Sequence, residues 1–117
     1  VQYGSESVNL YNHEFSFYKM KHPVLSHAVV VNNRQKKFGY LADGNISANL
    51  EAVIKECDLT VAHAPFLKEQ GGEEKPHATA YEVALIAKKY NTTVFALKEL
   101  NSITDDFVEA GEFIIIE

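Results

Sequence analysis

FGYLADGN, residues 38–45, is an apolar strand-like run that ends in an acidic residue on a glycine turn. Asp-Gly is ordinary turn chemistry, so the pattern by itself fits a simple chain reversal. In an α/β protein, however, the carboxyl end of a strand is where loops assemble binding and catalytic sites. Asp43 is therefore a candidate functional residue, and the flanking segments have to decide between these two interpretations.

The segments before Asp43 predict a β-meander of four strands. Alternating, β-branched or aromatic residues mark four runs, at residues 7–11, 14–20, 26–32 and 36–42. Asn12-His13 is predicted to be the first hairpin turn, and residues 33–35 form the polar turn before the last of these strands.

The segments after Asp43 alternate between helices and strands. Ser47 is predicted to cap one helix, and Thr79 begins a capping box, Thr-Ala-Tyr-Glu, before a second. Residues 67–76 form a polar loop with two glycines. Further strands are predicted at residues 58–64, 92–97 and 112–117. The prediction is a single α/β domain over residues 1–117, a mixed β-sheet with helices on one face.

Composition excludes several classes of protein. The net charge of −5 gives no electrostatic basis for unspecific nucleic-acid binding, and 46% hydrophobic residues are typical of a globular domain. No apolar run approaches the roughly 18 residues of a membrane span, and no signal peptide is visible, which predicts a cytoplasmic protein. The single cysteine, Cys57, excludes an intrachain disulfide. The chain begins with Val1 rather than Met, which indicates a processed or incomplete chain.

Imidazole and carboxylate side chains recur where predicted strands meet loops. They are His22, Asp43, His63, His77 and Glu99. This mixture of ligand types suits zinc or manganese if the loops converge on one rim of the sheet. The alternative is that each His is a hydrogen-bonded structural residue at a strand end, and spacing alone does not separate the two.

In their order along the chain, these segments resemble the second half of metallo-β-lactamase-fold hydrolases, in particular ribonuclease Z-like phosphodiesterases. The resemblance rests on five stretches, HPVLS (22–26), LADGN (41–45), CDLTVAHAPF (57–66), HATAYE (77–82) and VFALKE (94–99). It implies that the metal ligands are His22 and Asp43, with Glu99 at the place of the family's last ligand. It also implies that His77 helps to protonate the leaving group, with His63, where the family has Glu, as a second catalytic candidate.

Departures from the family pattern limit the activity that the resemblance implies. The family's H-x-H-x-D-H motif has no counterpart here, and Gly44 replaces the Thr that follows its Asp. Two metal ions need more ligands than the remaining residues supply. The expectation is one half of an αβ/βα sandwich: a fragment of a longer hydrolase, a degenerate binding protein, or a half completed by a homodimer or a complementary half-domain chain. If active, it would be a zinc or manganese phosphodiesterase acting on nucleotide or RNA substrates.

Residues 86–117 also resemble a LysM module, a small domain that binds peptidoglycan or chitin. The resemblance rests on IAKKY (86–90), LKELN (97–101) and the alternating final segment. Under this interpretation Thr92 and Thr93 begin a helix, so residues 92–97 are not a strand. The secondary structure of that segment therefore distinguishes the two resemblances.

Overall fold

The computed structural model describes residues 7–90, 99–102 and 113–116. Six strands of this part form one sheet, in the order β1-β2-β3-β4-β5-β6. All neighbouring strands are antiparallel except β4 and β5, which are parallel, so the predicted mixed sheet is confirmed. The elements are β1 (Val8–Leu10), β2 (His13–Lys19), β3 (His27–Asn32), β4 (Lys37–Leu41), α1 (Ala48–Glu56), β5 (Leu59–His63), a 3-10 turn (Lys68–Gln70), α2 (Ala80–Lys89) and β6 (Phe113–Ile116).

The first hairpin turn lies one residue earlier than predicted. Leu10 pairs with His13, so Tyr11 and Asn12 are the two turn residues, with φ values of 50° and 63°. Two successive positive φ values match a type I′ turn, which suits the twist of a two-residue hairpin. The prediction of Asn12-His13 as the turn is therefore wrong, because β2 already includes His13.

Helix α1 begins at the predicted cap and lies close to β4. The Ser47 hydroxyl accepts a hydrogen bond from the Leu50 backbone N–H at 3.2 Å, which satisfies one free donor of the first turn. Gly39 permits the close approach of the helix. A Cβ atom at this position would lie 2.8 Å from Val53 Cγ1 and 2.9 Å from Cys57 Sγ.

Both described helices pack on the same face of the sheet, as predicted. Alternate residues of β3, β4 and β5 point toward them and are buried. The core on this face contains Ala28, Val30, Leu41 and Ala62 from the sheet and Leu50, Val53, Ile54, Val83 and Ala87 from the helices.

The opposite face of the sheet, here called the open face, carries two apolar rows across the strands. Phe38 and Tyr40 are 39% and 38% exposed on it. Paired residues share a face. The first row is Val8, Phe15, Val31, Phe38 and Leu59, and the second is Phe17, Val29, Tyr40, Val61 and Ile115. Neither of the described helices packs against these rows.

Some predictions fall on residues outside the described part of the chain. The segment 92–97, predicted as a strand, is one of them. Glu99 and Leu100 are helical, and the Asn101 side chain exchanges hydrogen bonds with the backbone of Ile115 at 2.7 and 2.8 Å.

The single-domain organisation of residues 1–117 stays a prediction. Where the chain is described, none of its helices has the length and apolar character needed to cross a membrane.

Candidate metal centre

The candidate site lies at the carboxyl ends of the two parallel strands. Asp43 follows β4, and His63 is the last residue of β5. Parallel pairing brings the ends of both strands to the same edge of the sheet. His63 Nδ1 donates a hydrogen bond to Asp43 Oδ1 at 2.7 Å.

His77 reaches this edge through contacts of the segments that flank it. Bridges join Thr79 to Pro65 and Phe66, and the Ala78 backbone N–H donates to the Gly44 carbonyl at 2.9 Å. These contacts place His77 Nδ1 4.0 Å from Asp43 Oδ1. The His77 ring also stands edge-on to the Phe66 ring, with 5.1 Å between the ring centres.

His22 approaches the same place from the segment after β2. Its ring centre is 5.0 Å from that of His77. Its Nδ1 lies 3.0 Å from the carbonyl oxygen and 3.2 Å from the backbone nitrogen of Val24. These contacts occupy Nδ1 in either tautomer, so Nε2 is the ring nitrogen that remains for a ligand.

The electrostatic environment keeps His77 neutral. Its side chain is 18% exposed, and its Nδ1 is buried without a hydrogen-bond partner among the described residues. Desolvation lowers the pKa of His77 from its ordinary value of 6.5, His22 and His63 lower it further, and only Asp43 opposes them. The neutral ring offers a lone pair to a cation.

Three of the predicted residues lie close enough together to hold one metal ion. Asp43, His63 and His77 each offer one ligand atom, and these atoms lie within 4.8 Å of one another. Glu99, which was predicted as a ligand, is exposed in a helical turn and is not a member of this group. The structure thus places the two predicted catalytic histidines beside the predicted carboxylate ligand.

Gly44 and Asn45, which sequence reasoning treated as turn residues, have specific roles in the site. A Cβ at Gly44 would lie 2.7 Å from Met20 Cε and 2.8 Å from Met20 Cβ, so a larger residue here would force the buried Met20 side chain to move. Asn45 is 2% exposed, and the only signal for it was its place directly after Asp-Gly.

A family model matches part of the chain. The family model described as LysM domain matches residues 83–117, which is less than half of the chain. No curated protein matches the sequence.

A solved structure matches the whole chain. It is the crystal structure of the metallo-beta-lactamase fold protein YhfI from Bacillus subtilis, with a TM-score of 0.68 and 17% sequence identity. The match covers 100% of this chain and 54% of that one, so this chain spans about half the length of the protein it resembles. Likeness at this identity concerns the fold alone. Over its described residues the chain therefore has an α/β fold, a mixed six-stranded sheet with α1 and α2 on one face, that is consistent with half of a metallo-β-lactamase fold.

Proposed function

We propose that this chain is half of a metal-dependent hydrolase centre of the metallo-β-lactamase type. The observation that carries the proposal is the convergence of Asp43, His63 and His77 on one edge of the sheet, with ligand atoms within 4.8 Å of one another. Phosphodiester substrates, in RNA or nucleotides, enter the proposal through the resemblance of HPVLS, LADGN and HATAYE to ribonuclease Z-like enzymes.

The residues present fit a zinc or manganese ion. Imidazole and carboxylate donors suit both metals, and the buried, unpaired Nδ1 of His77 is a donor atom that lacks a partner among the described residues. Asp43, His63 and His77 would hold the ion, with His22 as a further imidazole beside His77. A bound ion supplies Lewis acidity and lowers the pKa of a water molecule.

The protein groups prepare this site in three ways. Asp43 holds the His63 imidazole in one orientation through the 2.7 Å hydrogen bond. The lowered pKa of His77 keeps its ring unprotonated at neutral pH. The Phe66 ring packs against the His77 ring in an edge-type contact, with 5.1 Å between the ring centres, and gives it an apolar neighbour. In this proposal His63 and His77 are metal ligands rather than acid–base catalysts, and Glu99 is not part of the site.

Metal analysis of the protein purified without chelator tests the proposal. We expect bound zinc or manganese, together with metal-dependent hydrolysis of bis(p-nitrophenyl) phosphate by the complete assembly. Asp43→Ala should lose the metal, because it removes the only carboxylate of the group. The matched control is Asp58→Ala, since Asp58 lies at the opposite end of β5, beside Lys36. A metal-free wild-type protein would refute the proposed site.

The completing partner in this proposal is a second copy of the chain. The open face presents two apolar rows that a sheet of the same kind can cover, and the chain spans about half of the structure it resembles. Strand alternation places His63 on the open face, in line with Leu59 and Val61. A partner docked there would border the metal centre and could add ligands to it. If an oligomerisation experiment shows no self-association, the alternative partner is a complementary half-domain chain.

Glycan binding is the second candidate function, favoured by the LysM match over residues 83–117. The helical conformation of Glu99 and Leu100 agrees with the helix that this resemblance predicts there. Titration with oligomers of N-acetylglucosamine distinguishes the candidates. Binding that survives in Asp43→Ala would support the glycan-binding function, and a lack of binding by the wild type would refute it.

A further inference from the structure

Asn45 is a buried polar side chain two residues beyond Asp43, and both its amide nitrogen and its amide oxygen make hydrogen bonds. Its Nδ2 donates to the backbone carbonyls of Gly72 at 2.8 Å and Lys75 at 2.7 Å, with a longer contact of 3.5 Å to that of Glu73. Its Oδ1 accepts from the Ile46 backbone N–H at 2.7 Å. An amide has two donor hydrogens, and both are directed at residues 72–75.

The main chain around Asn45 makes two more connections. The Asn45 backbone N–H donates to the carbonyl of Lys21, the residue before His22, at 2.8 Å. The neighbouring Gly44 carbonyl accepts from Ala78, the residue after His77, at 2.9 Å. The turn after β4, which carries Asp43, is thus bonded to the two irregular segments that carry His22 and His77.

We propose that Asn45 is a positioning residue, which holds the segment leading to His77 against the turn that carries Asp43. This inference rests on the proposed function of Asp43, His63 and His77 as a metal-holding group. His63 needs no such support, because sheet pairing fixes the end of β5. Residues 72–75 are exposed and belong to no helix or strand. The Lys75 backbone N–H closes a turn onto the Gly72 carbonyl at 3.0 Å, and the Asn45 amide bonds that turn to the segment that carries Asp43.

Zinc affinity of two variants tests the inference. Asn45→Ala should weaken zinc binding by roughly 10- to 100-fold, the range typical of residues that orient metal ligands. The control is Asn49→Ala, since Asn49 Nδ2 makes a bond of the same type, 2.8 Å to the Lys19 carbonyl, from the first turn of α1. Both affinities are measured by chelator competition on folded protein. An unchanged affinity in Asn45→Ala, or an equal loss in both variants, would overturn the positioning role.

Hydrogen exchange of the metal-free protein separates this inference from the proposed function. Asn45→Ala should speed exchange at the amides of Lys75 and Ala78 while leaving those of β3 and β4 unchanged. A wild-type protein that binds no zinc would overturn the proposed function, and the exchange rates would then decide alone whether Asn45 orders this segment. If Asn45→Ala does not fold, the Nδ2 protons of wild-type Asn45 decide: slow exchange supports the inference, and exchange at the rate of a free amide refutes it.

Discussion

His77 is the residue whose protonation most directly disturbs the candidate site. Its Nδ1 is buried without a partner among the described residues and lies 4.0 Å from Asp43. A proton on this ring would place a positive charge beside two further imidazoles, those of His22 and His63. Desolvation and these neighbours therefore favour the neutral ring, which is the form that binds metal.

The stability of the metal-free protein should consequently fall in mild acid. The unfolded chain takes up a proton on His77 near pH 6.5, whereas folding lowers this pKa. The contribution of His77 to the free energy of unfolding is thus fully present above pH 6.5. It decreases as the pH falls toward the lower pKa of the folded state. Urea unfolding between pH 7.5 and 5.5, with a chelator present, measures this slope.

The variant His77→Gln should reduce the slope, and His13→Gln, in β2, serves as the control of matched chemistry. Equal slopes in the wild type and in His77→Gln would contradict the assignment of the effect to this residue.

The sequence predicts the residues of the candidate site but not how their side chains interact. Asp43, His63 and His77 were singled out because each ends or follows a predicted strand or begins a helix. That Asp43 and His63 share a hydrogen bond depends on the parallel pairing of β4 with β5. Residues twenty positions apart come together only through that pairing, and no local pattern encodes it.

The contact between α1 and β4 depends on the absence of a side chain at Gly39.

The helices and strands themselves were predictable, because strand alternation, the Ser47 cap and the Thr79 capping box are local features. The first hairpin turn was displaced by one residue because a Tyr at positive φ is rarely expected.

Gly39→Ala should destabilise the fold by about 1–3 kcal/mol, the usual cost of overpacking a core. The added methyl group would conflict with Val53 Cγ1 and Cys57 Sγ. Urea unfolding of Gly39→Ala, Val53→Ala and the double variant measures the coupling between the two positions. We expect the double variant to lose less stability than the sum of the single variants, because Val53→Ala removes one of the conflicting atoms. Additive losses would argue against this contact.

At the level of the complete chain, the open face is the feature that most needs an explanation. Its two apolar rows each cross five of the six strands and have no described helix over them. Exposed apolar surface of this kind marks an interaction site in soluble proteins. A second copy of the chain would bury both faces in a single isologous contact.

The wild-type chain should therefore be a dimer at micromolar concentrations, as measured by sedimentation or light scattering. Tyr40→Lys should shift it toward monomer, because the symmetric contact would bury a charge in the second apolar row of each copy. Leu85→Lys is the control, since Leu85 is 50% exposed on α2, which packs on the opposite face. A compact wild-type monomer, or equal dissociation in both variants, would refute the self-paired arrangement.

The amino-acid sequence alone determined the strands of the meander, both helix starts and the acidic residue at the tip of β4. These features arise from side-chain periodicity and from hydrogen bonds between residues three or four positions apart, so they are visible in short windows of sequence. Only the tertiary structure decided that His63 bonds to Asp43, that His77 joins them and that Asn45 is buried between three segments. Those outcomes depend on strand order and long-range packing, in which residues far apart in the chain meet because a sheet places them on one edge.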